Sequence, residues 1–206
     1  MTFRYLKVAA IAAALVTVPA LVLAQAPAST PAAVQPGSYT VEPVHTRILF
    51  AVSHFGFSTW YGEFSGASGA LTLDPSKIAS SQVDIAVPAA SISTNNVKLD
   101  AELKGDKWFD VAKYDTIRFH STCVTRTSAN TADIFGDLTL HGVTRPVTLK
   151  AKFNAAGANP LSKAYTIGFE ISGDIKRSDF GVTTYVPLIG DDVHLIISAA
   201  FEKNPA

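Results

Sequence analysis

Five stretches of this chain alternate apolar and polar residues with a period of two, the pattern of strands half-buried around a shared interior. Ile48, Phe50 and Val52 share a parity, as do Val83, Ile85 and Val87. Val147, Leu149, Ala151 and Phe153 repeat it, followed by Tyr165, Ile167, Phe169, Ile171 and Ile175, then by Val193, Leu195, Ile197, Ala199 and Phe201. A slip of one residue would turn an entire face to water, so the register of each strand is strongly specified.

Strand candidates follow one another with short polar breaks, at 38–41, 46–54, 62–73, 81–87, 116–125, 132–141, 146–154, 164–176 and 192–202. Helical crossovers between them are missing, which predicts an all-β, antiparallel sheet. Residues 141–145 form a tight hairpin link, with Pro146 placed at a strand start where its missing N–H costs least, and Ser128-Ala129-Asn130 is a turn. One segment breaks the rhythm. Asn95 to Lys104 contains good helix formers, with Ser93 and Thr94 as N-cap candidates and Gly105 as the stop. Trp108 and Phe109 then add an aromatic turn, so this excursion near 95–110 is expected either to plug one end of the sheet or to rest on its surface. A second aromatic cluster, Phe55 to Phe64, has two readings: a pocket mouth, or a bend filled by core aromatics.

Residues 1–24 carry the marks of a secretory leader: Arg4 and Lys7, an apolar run from Val8 to Leu23, and a small-residue end that favours cleavage after Ala24. Cleavage after Ala26 is disfavoured by Pro27. The apolar run is short for a membrane-spanning helix of about 20 residues, although a retained anchor is the alternative. Residues 25–37, rich in Ala, Pro, Ser and Thr and free of charge, predict a flexible tether. Residues 38–206 fit one domain. Removing Arg4 and Lys7 leaves 15 basic residues against 17 acidic ones, with no basic patch to suit nucleic acid. Cys123 is the single cysteine, so no intrachain disulfide can form. It shares parity with Ile117 and Phe119 and is expected inside as a small apolar filler; no feature suggests a lowered thiol pKa.

The residues offer little to catalysis. The five histidines, at 45, 54, 120, 141 and 194, make no HExxH spacing. His120, His194, Asp84 and Glu170 fall on outward parities, as solvated strand faces. Gly66-Ala67-Ser68-Gly69 has the wrong spacing for a nucleophile elbow, and Asp179-Phe180-Gly181 lacks every companion motif of a kinase. No Walker lysine motif or GxGxxG occurs. So much inward apolar surface without a catalytic cluster points to a container for an apolar molecule.

Four stretches carry a resemblance. HFGFSTWYGEFSG (54–66), FDVAKYDTIRFHST (109–122), GDLTLHGVTRPVTL (136–149) and RSDFGV (177–182) resemble signature segments of the YceI family, over essentially all of residues 38–202. The resemblance implies an extended, lipocalin-like antiparallel β-barrel in the bacterial periplasm that holds a polyisoprenoid or similar long amphiphile in its lumen. Glu102 departs from the family's usual histidine and Asp115 from a frequent proline, so ligand entry or head-group preference is expected to differ here. A barrel of about eight strands is wide enough for one slender ligand. The expected wall is Phe50, Val52, Leu71, Ile85, Phe119, Leu138, Phe169 and Ile171, with Phe57, Trp60 and Phe64 from the aromatic cluster. No catalytic residue, metal site or cofactor is expected beyond a non-covalently held isoprenoid lipid or quinone. Membrane insertion is not expected once the leader is removed, and a homodimer is compatible with the sequence.

Three functions compete: a periplasmic lipid carrier, an enzyme or electron-transfer accessory acting on a bound prenyl lipid or quinone, and a protective module binding other proteins. The mature polypeptide is expected to begin at Gln25. Intact mass of the exported protein checks this, and a chain that keeps residues 1–24 in the membrane fraction would refute it.

Overall fold

The alternating stretches all form strands, and their inward parities surround one lumen. In this computed structural model, residues 27–205 are described; the expected leader, residues 1–24, lies outside the described residues. The described residues form ten strands: Gly37–Val41 (β1), Arg47–His54 (β2), Ser58–Phe64 (β3), Ser68–Leu73 (β4), Gln82–Pro88 (β5), Thr116–Arg126 (β6), Thr131–Leu140 (β7), Val143–Ala158 (β8), Tyr165–Lys176 (β9) and Ile189–Lys203 (β10). Every pairing is antiparallel. The order β1-β4-β5-β6-β7-β8-β9-β10, closed by β1 against β10, makes an eight-stranded barrel. The all-β, lipocalin-like expectation therefore holds.

The hairpin β2–β3 extends the barrel at one end. β10 pairs with β1 through Phe201–Lys203 and with β2 through Ile189–Ser198, so β1 and β2 succeed each other along one edge. The expected strand 62–73 is in fact two, broken at Ser65–Ala67, where Gly66 takes φ +69°. β3 also starts earlier than expected, because the chain turns within residues 55–57, with His54 paired to Ser58. Phe55 and Gly56 have φ of 53° and 72°, a left-handed pair. His141 and Gly142, at 51° and 73°, make a two-residue turn between β7 and β8, where Leu140 pairs with Val143 and the twist matches that of the flanking strands. Pro146 is thus inside β8 rather than at its start, opposite Asp137 and outside the run paired with β9, which begins at Lys150.

β5 and β6 stop short of this extended end. The segment between them occupies the space beside β3: Glu63 and Ser93 exchange backbone hydrogen bonds of 2.8 and 2.9 Å, and Phe109 meets Phe64 edge-on at 5.5 Å. Its helix, Val97–Leu103 (α1), is capped by Asn96, whose side chain accepts from the N–H groups of Lys98 and Leu99. Ser93 and Thr94, the expected caps, are outside that role. Thr94 instead donates from both its N–H and its hydroxyl to Asp100, each at 2.7 Å.

Two further expectations fail for local reasons. Cys123 is exposed, because a bulge between Ser121 and Cys123 adds a residue to β6 and reverses its parity. Ser121 and Val124 take the inward positions. The predicted tether is docked along residues 28–35. Ala28 and Ala156 exchange backbone hydrogen bonds of 2.7 and 2.9 Å, Val34 is buried, and the Tyr39 hydroxyl donates to the Gln35 carbonyl. Composition missed this because the segment borrows the barrel's unpaired backbone and apolar end instead of making a core of its own. Tyr39 is fully buried there, and burial with Tyr165 nearby pushes its phenol up to about 12.

Register is tightest where β4 meets β5. A Cβ on Gly69, at φ +134°, would lie 1.9 Å from the Asp84 carbonyl oxygen. Gly69→Ala is expected to lower stability by about 2–4 kcal/mol, read as a shifted midpoint in urea denaturation. A wild-type midpoint would show that β4 and β5 approach less closely than this.

Candidate functional site

The lumen is a cavity of about 480 Å³, reaching from Thr46, Leu71 and Ser81 in the lower barrel to His54, Trp60 and Trp108 at the extended end. Its size falls in the range of small-molecule sites, about 300–1,000 Å³. Of the expected wall residues, Phe50, Val52, Trp60, Phe64, Leu71, Ile85, Phe119, Leu138, Phe169 and Ile171 line it. Phe57 does not. It ends the turn that precedes β3, at a parity opposite to that of Trp60 and Phe64, and is 92% exposed.

Side-chain size alone leaves open whether such a lumen is filled, since Phe and Leu can line a space or occupy it. Glycines on inward positions decide the matter. The ring of Phe50 lies over Gly62 on the neighbouring strand, so that a Cβ there would come within 2.3 Å of it. Phe119 covers Gly136 in the same way, at 2.6 Å, and Leu149 covers Gly173, at 2.7 Å. These side chains lie back along the wall and leave the centre open.

The two ends differ. At the lower end, Phe153, Phe169 and Phe201 pack edge to face at 6.0 and 6.2 Å, with Tyr39 and the docked segment behind them. At the extended end, Phe55, Tyr61 and Tyr185 both line the cavity and are 49%, 59% and 60% exposed, so the lumen reaches the surface there. The aromatic cluster 55–64 is therefore a mouth. Leu99, Leu103, Trp108 and Phe109 also face the lumen, so the excursion between β5 and β6 walls that end.

Three ionisable groups line the cavity where the strand parities suggested almost none: His54, Glu102 and Arg177. His54 packs between Phe55, edge-on at 4.5 Å, and Trp60, at 5.7 Å. Arg177, the first residue of RSDFGV, is buried and spends its guanidinium on backbone carbonyls. Nε donates to Gly190 at 2.8 Å, Nη1 to Val182 and Thr184 at 2.9 Å, and Nη2 to Ile189 at 2.8 Å. Burial pushes its pKa below the ordinary value, with Asp191 acting against that shift. The same guanidinium lies 5.4 Å from the centre of the Trp108 ring, and Trp108 Nε1 donates to Glu102 at 3.2 Å. Arg177 thereby ties the β9–β10 loop to the wall segment. Partial burial works to raise the pKa of Asp191, but two bonds from Ser178, from N–H at 2.9 Å and Oγ at 2.8 Å, help outweigh it and hold the carboxyl below its ordinary range.

Of the two departures, Glu102 faces the lumen. Asp115 lies at the foot of the wall, where its carbonyl accepts from Ala89 at 2.8 Å. The outward histidines are solvated as expected, with His120 bonded to Asp84 and His194 to Asp174 at 2.8 Å. The Asp84 bond raises the pKa of His120. Ser81 is the buried side chain left without a hydrogen-bond partner among the described residues. No group of three or more His, Cys, Asp or Glu placed to hold a metal occurs among them.

Known proteins show the same architecture. The YceI-like domain family matches residues 39–201. A UPF0312 protein of Pseudomonas savastanoi is 38% identical over 141 residues, 68% of this chain and 73% of its own. The crystal structure of the Campylobacter jejuni YceI protein superposes with a TM-score of 0.66 at 26% identity, covering 74% of this chain and 90% of that one. A polyisoprenoid-binding domain from Saccharophagus degradans, implicated in plant cell wall breakdown, gives 0.61 at 14% identity over 82% of this chain and all of its own, a likeness of fold alone. The matched domain spans the whole barrel and all four signature stretches, and the chain belongs to the YceI family.

Proposed function

We propose that the barrel is a periplasmic carrier that holds a polyisoprenoid or similar long amphiphilic lipid, such as a prenyl quinone, tail-first in its lumen. The observation that carries this reading is the open apolar cavity of about 480 Å³, closed at the lower end and reaching the surface among aromatics at the other. Such a shape suits a chain with one apolar end and one polar end. Removing each methylene from water contributes roughly 0.8 kcal/mol, so an isoprenoid tail of modest length would bind well without an ion pair. The Saccharophagus domain, named for polyisoprenoid binding, has the same fold. Export rests on the leader expected at residues 1–24.

Among the described residues Arg177 is the one Arg or Lys that lines the cavity, and its guanidinium is committed to four backbone carbonyls, so it is not free to grip a head group. Glu102, standing where the family usually has histidine, adds a carboxylate instead. Both features favour a neutral head group over a phosphorylated one.

Apolar contact should therefore dominate affinity. Trp60 is half-buried at the mouth and lines the cavity; Trp60→Ala is expected to weaken a fluorescent prenyl probe by about 1–3 kcal/mol. Raising salt should change affinity little, because screening acts mainly on exposed charges. Titrations of wild type and variant at low and high salt check both. Affinity that collapses with salt and ignores Trp60 would point to a charged head-group site and overturn the carrier reading.

A further inference from the structure

The mouth has an outer surface as well as a lining. Phe55, Phe57, Tyr61, Tyr185 and Leu188 are between 49% and 92% exposed. They come from the β2–β3 hairpin and the β9–β10 loop, held together by the Phe55 N–H, which donates to the Leu188 carbonyl at 2.9 Å. Phe55, Tyr61 and Tyr185 also line the lumen, so the exposed apolar surface continues into the cavity without a break. The two loops are free of charge: residues 55–62 and 180–190 contain no Asp, Glu, Lys or Arg, in a chain that is 17% charged. Charge returns at the borders, with Glu63 after the first segment, Asp179 before the second, Asp191 and Asp192 after it, and Asp106 and Lys107 beside Trp108. The opposite end of the barrel differs. There Leu161, 91% exposed, is close in sequence to Lys163, and Glu202 and Lys203 end the last strand.

We propose that this uncharged aromatic tip docks on the face of a lipid bilayer, so that an amphiphile passes between bilayer and lumen without crossing water. The proposal rests on the lipid-carrier reading and supplies its route of loading. A tail leaving through a mouth in open water would expose its methylenes one after another, at roughly 0.8 kcal/mol each. Seating the rim in the interface removes that barrier. Tyr and Phe suit such a seat, since aromatic side chains settle at the head-group level of membranes. A neutral tip matches a zwitterionic surface and has nothing to offer a highly charged partner. Contiguous apolar surface with a polar border is also the usual mark of a contact site. The turn at residues 55–57 leaves Phe57 92% exposed and outside the cavity lining.

Phe57 consequently separates docking from holding. Wild type, Phe57→Asp, Leu188→Ser and the opposite-end control Leu161→Asp, each with its N-terminus fixed by intact mass, are sedimented with phosphatidylcholine vesicles. Wild type and Leu161→Asp are expected to partition alike, while Phe57→Asp and Leu188→Ser fall by about tenfold or more. Loading of a prenyl probe carried in the vesicles should slow in parallel. Binding of a water-soluble short-chain prenyl probe should be unchanged in Phe57→Asp, because Phe57 does not line the lumen. Absent wild-type partitioning, partitioning indifferent to both tip variants, or partitioning lost as salt rises would overturn the proposal. So would size-exclusion data showing that the tip pairs two copies instead. Failure of wild type to bind the soluble probe would count against the carrier reading, and vesicle partitioning would still judge the docking surface on its own.

Discussion

An apolar lumen with an open centre is unfavourable for an isolated chain, because its walls lose the contacts that a packed core would provide. Three wall side chains accept that loss by lying back over glycines: Phe50 over Gly62, Phe119 over Gly136 and Leu149 over Gly173. A Cβ at Gly136 would meet the His120 carbonyl oxygen at 2.5 Å, and at any of those glycines it would press the covering side chain toward the open centre. A sequence selected only for stability would fill it. Glycine at these positions keeps the space open, and the rest of the barrel can be understood as the frame around it.

That frame is asymmetric. The lower end is sealed by packed aromatics and by residues 28–35, docked onto β8 and Tyr165. The upper end lacks a full ring of strands, and the segment between β5 and β6 takes their place. A wall without a sheet's backbone ladder needs other anchors, and Arg177 is central among them. Its fork binds two carbonyls of the β9–β10 loop and two at the start of β10 while its face rests on Trp108, whose indole N–H is in turn held by Glu102. Lysine would not reproduce that planar fork. The RSDFGV stretch is thus a clasp for the mouth, and its spelling of a kinase motif has no chemical meaning here.

Much of the barrel was legible from parity alone, since the inward residues of β2, β5, β8, β9 and β10 line the lumen or its lower core as the period of two requires. What escaped was whatever breaks the period. The bulge in β6 sends Cys123 outward because it alters the count by one residue. Phe57 is a different case: it lies in the turn before β3, three residues from Trp60 and so on the opposite parity, which the clustering of aromatics over 55–64 obscured. Docking of residues 28–35 depends on the barrel's end and leaves no pattern in its own composition. The role of Arg177 leaves no local signal in the sequence, since a strand-end arginine meets its carbonyl partners only after the loop has folded back. Openness of the lumen did have a signal: Gly62, Gly136 and Gly173 all occupy inward parities, where a packed core would put a side chain.

The central claim is that a lipid tail fills this space. Native mass spectrometry of the protein purified without detergent, followed by organic extraction of the same sample, tests it most directly. The account predicts one non-covalent, long-chain prenyl amphiphile per barrel, lost on denaturation and recovered in the extract. A bare polypeptide mass that persists after incubation with prenyl lipid would contradict it.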